Sequence, residues 1–116
     1  MQPIPDVTEK DVERIVIRDY GQALLIDVLK TLGEYGSRPG TRPGSARVHL
    51  AILKVADGNL DKLAEIVEVA ISDFRDVVSM AEYPNFTYRY GTDTMDRQQA
   101  IDDDWKQYRE WLDRIA

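Results

Sequence analysis

One histidine, a few acids and three arginines are the residues of this 116-residue chain with the clearest potential for chemistry. His49 is the only side chain whose ordinary titration falls near neutral pH, so it is the only ready general base. On a helix it projects between Ile52, Leu53 and Ala56, inside an apolar arc. That position predicts a core histidine with one satisfied hydrogen bond rather than a base open to substrate. Asp104 likewise projects into an apolar stripe, near Tyr108 and Trp111. A buried carboxylate needs a partner, an arginine or His49. A His–Asp pair would be half of an acid–base device, but no serine or cysteine nucleophile stands beside it. Arg38, Arg42 and Arg47 form a local positive cluster in a stretch without acids. With Ser45 at a helix N-terminus they could hold a phosphate or carboxylate, because free N–H groups point outward there. The segment lacks the Gly-x-x-x-x-Gly-Lys-Ser/Thr form of a phosphate loop. The competing reading is a solvated loop, or arginines paired to acidic helices.

Other clusters are weaker. Asp61, Glu65, Glu68, Asp73 and Asp76 read as a metal site only if they face a bundle interior with a Glu-x-x-His motif. Most lie on a polar face and no such motif occurs, so a solvated acidic face is expected. Arg18 with Asp19, and Arg75 with Glu82, read as ion pairs tying helix ends together, or else as parts of a polar site. The chain has no cysteine. This excludes disulfides, thiolate metal sites and thiol nucleophiles. A single histidine excludes a His-rich zinc centre. No catalytic set, metal or cofactor is expected.

Helices must position these groups. Thr8 offers an N-cap before a first helix over about 9–18, with Val12, Ile15 and Val16 as its stripe. A second helix is predicted over 22–35, where apolar positions cover half the circumference. Residues 36–45 repeat Arg-Pro-Gly and read as two tight turns. A third, mostly buried helix runs from Ser45 to Asp57-Gly58, with Arg47 and Lys54 marking its wet edge. Asn59 caps the longest element, over 60–83. There Leu60, Leu63, Ala64, Val67, Ala70, Ile71, Phe74, Val77, Val78 and Ala81 keep helical spacing. Ile66, Val69 and Met80 widen its apolar side and could meet a partner chain. Pro84 ends it. Phe86, Tyr88 and Tyr90 then alternate in an extended aromatic strap, read as core packing or partner contact. A last helix over 94–114 carries Ile101, Trp105, Tyr108, Leu112 and Ile115, with Trp111 at the margin. The expectation is one all-α domain over 1–116, about five helices in a compact antiparallel array with the strap before the last.

The segments Arg18-Asp19-Tyr20-Gly21, Val48 to Leu63, Asp73 to Val78 and Ala81 to Pro84 resemble an uncharacterised family of short bacterial all-helical proteins. The resemblance covers roughly residues 9–84 and rests on hydrophobic spacing plus a few polar words. It implies a bacterial source and a helical fold. The family carries no assigned activity or cofactor.

Charge narrows the partners. The formal net charge is -6, and nucleic-acid affinity comes largely from neutralising phosphates with Lys and Arg. A nucleic-acid role is disfavoured and a basic protein partner permitted. No stretch approaches the roughly 20 apolar residues of a membrane span, and the N-terminal residues lack the features of a signal peptide, so the cytoplasm is expected. The preferred reading is a small acidic, non-enzymatic interaction protein, adaptor- or inhibitor-like, acting on a protein partner or as a homodimer. The alternative is a ligand binder or enzyme using His49, Asp104 and the arginine loop.

Overall fold

Helix α1, Glu9–Tyr20, starts where the Thr8 N–H donates to Asp11 Oδ2 at 3.0 Å, and Val12, Ile15 and Val16 are its buried stripe. The computed structural model describes residues 5–41, 45–85 and 97–115. Among them there is no strand, and the fold is all-α. The Gly21 N–H closes α1 on the Ile17 carbonyl at 3.0 Å.

The predicted second helix is divided in three. A 3₁₀ turn over Gln22–Leu24 is followed by α2, Leu25–Leu32, and then by a single turn, Glu34–Ser37. The cause is local. Tyr35 leaves helical geometry at ψ 105° and Gly36 takes φ 127°, a region that costs glycine little and other residues more. The Gly36 N–H donates to Thr41 Oγ1 at 2.9 Å, and that hydroxyl donates to the Arg38 carbonyl at 2.6 Å. The turn is thereby folded back on itself.

Helix α3, Ala46–Ala56, is the buried element the sequence predicts, with Leu50, Ile52 and Leu53 fully enclosed. Each such side chain contributes roughly 1.5–3 kcal/mol by leaving water. Ser45 makes no side-chain cap bond. Asp57 and Gly58 end α3 in successive left-handed conformations, φ 52° and 76°. Asn59 then accepts the Lys62 N–H at 2.9 Å and opens α4, Leu60–Glu82.

Helix α4 differs from expectation in its middle. Asp73 sits at φ -157°, ψ 98°, so the helix stops and restarts there. Asp73 Oδ1 accepts the Arg75 N–H at 3.1 Å, which is the work of an N-cap. The periodic pattern runs through this break and places Leu60 and Phe74 on the core face, yet they are 51% and 40% exposed. Ile66, expected on a partner-facing flank, is buried in the core, and Val69 and Met80 pack partly against it.

Helix α5, Arg97–Asp113, buries Ala100, Ile101, Asp104, Tyr108, Trp111 and Leu112. Trp111 is thus interior rather than marginal, while Ile115 is exposed. The aromatic strap, including Tyr88 and Tyr90, lies outside the described residues, as do residues 94–96 of the predicted last helix. The core joins α1, α2, α3 and α4 to Tyr108, Trp111 and Leu112 of α5. No described helix is long and apolar enough to cross a membrane.

Candidate functional site

The break in α4 opens a cleft. It is about 420 Å³ in volume, with Tyr35 and Gly40 on one side and residues 70–75 on the other. Two aromatics shape it. The Tyr35 and Phe74 ring centroids are 6.5 Å apart with the planes tilted by 55°, within the range where aromatic pairs attract. Tyr35 is buried and Phe74 stands at the lip.

His49 fixes the inner wall. Its Nε2 is 2.8 Å from the Tyr35 carbonyl oxygen, and its ring meets the Tyr35 ring edge-on at 6.2 Å. Nε2 therefore donates, and the carbonyl freed where the chain leaves helical geometry at Tyr35 is satisfied. His49 positions the cleft from behind without lining it. The polar rim is Asp73 with Arg75, whose Nε and Nη2 reach the carboxylate at 3.0 and 3.2 Å. Hydrogen bonds from the Arg75 side chain and backbone hold the Asp73 carboxyl below its ordinary range. With Tyr35, Ile71 and Phe74 beside the Asp73–Arg75 pair, a mixed lining can accept an apolar side chain while the charged pair meets the polar backbone that carries it.

The arginine cluster is dispersed among acidic partners. Arg38 pairs with Glu68 and, at 3.7 Å, with Glu34. Arg47 makes a two-pronged contact with Glu82 at 2.8 and 2.7 Å. Arg42 lies outside the described residues. The alternative of arginines paired to acidic helices therefore describes Arg38 and Arg47. Arg47 is raised further above its ordinary range chiefly by the hydrogen bond to Glu82, against the opposing effect of burial.

Asp104 is 1% exposed and accepts the Asn85 N–H at 2.7 Å. It and His49 thus take different partners. Lys54, expected at a wet edge, is half-buried. Burial pushes its ammonium down, while the charges of Asp104 and Asp57 oppose that shift. Gln107 Nε2 donates to the carbonyls of Ala81 and Asp104 at 3.1 and 2.9 Å, so the end of α4 is stitched to α5.

Arg18 does more than pair with its neighbour. Its Nε reaches Asp19 at 2.8 Å, but Nη1 also donates to the carbonyls of Trp111 and Arg114 at 2.6 and 3.0 Å. Its guanidinium lies 5.2 Å from the Trp111 ring centroid, close enough for a cation–π attraction. One turn earlier on α1, Arg14 donates to the Leu112 carbonyl at 2.8 Å. Two cations thereby close the C-terminal end of α5, where the last carbonyls have no α-helical partner, Trp111 taking only a 3.3 Å bond from the Arg114 N–H, and the dipole is negative.

No group of three His, Asp or Glu residues among the described residues could hold a metal ion. No family model, curated protein or solved structure matches the chain. Sequence reasoning did not find Tyr35 and Phe74 as site residues. The available signals were Tyr35-Gly36, at the predicted end of the second helix, and Ser72-Asp73, two capping residues inside an otherwise uniform apolar period.

Proposed function

We propose that the protein is a non-enzymatic interaction protein that takes an apolar side chain of a basic partner segment into the cleft at the α4 break. The observation that carries this reading is Phe74, an aromatic 40% exposed at the mouth of a 420 Å³ cleft. Aromatics in such positions concentrate binding energy, because they release much water for few frozen torsions. The net charge of -6 favours a basic segment by long-range steering. A photo-cross-linking residue at Ser72 tests the idea in native lysate, with one at Ala23 as control. The expected result is a basic partner trapped from position 72 only, and lost when Phe74→Ala is added with the helical circular-dichroism spectrum unchanged. Adducts identical at both positions, adducts indifferent to Phe74→Ala, or no adduct at all would sink the proposal. Trapping of a second copy of the chain would replace the basic segment with self-association.

A further inference from the structure

Helix α5 carries two polar atoms into the interior that find no hydrogen-bond partner among the described residues, the Tyr108 hydroxyl and Trp111 Nε1. Tyr108 is 1% exposed and Trp111 8%, so both have given up most of their contact with water. A buried donor without an acceptor opposes the burial that put it there. The C-terminal half of α5 is therefore held less well than its apolar content implies.

What holds α5 in place includes polar clamps at its C-terminal end and in its middle. At one end are Arg14 and Arg18 on the carbonyls of Trp111, Leu112 and Arg114. In its middle are Gln107 on the end of α4 and Asp104 on the Asn85 N–H. The backbones of α3 and α4 pack closely along each other, while that of α5 comes near α4 and much less near any other helix.

The clamps are also built to open without stranding charge. Arg18 keeps Asp19 at 2.8 Å and Arg14 keeps Asp11 at 3.4 Å, and all four residues belong to α1. The buried carboxylate of Glu82 is paired with Arg47, wholly within α3 and α4. Departure of α5 would break none of these three pairs. It would part Arg114 from Asp19, 3.9 Å away, but Asp19 keeps Arg18. It would return the Tyr108 hydroxyl and the Trp111 N–H to water, and the last carbonyls of α5 as well. We infer that α5 undocks as a unit from an intact α1–α3–α4 body, with Arg14 and Arg18 as its latch and the two unpartnered donors setting it ajar. The device uncovers on demand the face on which Tyr108, Trp111 and Leu112 pack. It is independent of the cleft at the α4 break.

Native-state hydrogen exchange on the full chain, read by mass spectrometry, tests this. In the wild type, amides over 104–112 should exchange ahead of those over 48–55. Arg14→Met, whose partner Asp11 reaches solvent, should speed exchange in α5 alone by about tenfold, the scale of a lost charge-assisted bond. Tyr108→Phe should slow exchange in α5 alone, because it removes a hydroxyl that has no partner. Equal protection of α5 and α3, shifting together in both variants, would overturn the inference. So would faster exchange in Tyr108→Phe, which would mean that the hydroxyl is bonded.

Discussion

Glu82 is a carboxylate with almost no water around it: its side chain is 4% exposed, while that of Arg47 is 38% exposed. Such a pair adds little over an apolar substitute, but removing one partner leaves a charge stranded. Arg47→Met should therefore cost about 2–3 kcal/mol in urea unfolding, below the range for fully buried pairs because Arg47 reaches solvent. The double variant Arg47→Met/Glu82→Leu should recover most of that loss. A single variant as stable as wild type would show that Glu82 finds another partner. The phenols give a pH signature. Burial, and then the charges of Asp19 and Asp57, push Tyr20 from 10.0 up to about 12. Burial first and Glu82 second push Tyr108 up as well. The folded chain thus holds these protons more tightly than the unfolded one. Their contribution is whole below about pH 10 and is lost as the pH climbs towards the folded values. Urea midpoints should fall from about pH 10 upward, and less steeply in Tyr20→Phe/Tyr108→Phe. Equal slopes would refute the assignment. The inward positions of His49 and Asp104 were legible, because each falls on the apolar arc of its own helix. Their partners were not. The Tyr35 carbonyl and the Asn85 N–H are main-chain groups released by local breaks, and side-chain periodicity carries no record of them.

Element boundaries follow the same logic. The start of α4 at Asn59 and its end before Pro84 could be read directly, since cap and stop each act within one turn. The interruption at Asp73 could not be isolated, because the apolar period continues on both sides of it. A capping carboxylate outweighed propagation there, helped by Arg75 two residues on. Asp73→Ala should heal the break. Its Cα chemical shift should move from an extended to a helical value, and Phe74 should lose solvent contact. An extended shift retained in the variant would mean that tertiary packing, rather than the cap, bends the helix. The α3–α4 corner is more demanding. A Cβ at Gly58 would meet the Asp19 carbonyl at 3.3 Å and would have to sit at φ +76°. Gly58→Ala should therefore destabilise by about 1–2 kcal/mol, observable as a lower thermal midpoint.

At the scale of the molecule, α3 is the hub, with eight of its eleven residues buried. Leu50 is fully enclosed, and Leu50→Ala should cost about 2–5 kcal/mol, the range for large-to-small changes in tight cores. The loss should spread through α1, α2 and α4, whose buried side chains share one cluster with those of α3. A local loss confined to one helix would contradict that arrangement. That the whole is all-helical was written in the three-to-four-residue recurrence of apolar side chains, which depends on no long-range knowledge. How α5 docks was not, since Arg18 and the Trp111 carbonyl it grips are 93 positions apart in the chain. This grip has a practical side. The chain has two tryptophans, Trp105 and Trp111, and both lie on α5. Trp111 rests under the Arg18 guanidinium and Trp105 faces that of Arg109 at 5.9 Å. All indole fluorescence of the protein therefore originates on one helix, and the wavelength and quenching of its emission gauge the seating of that helix without any attached dye.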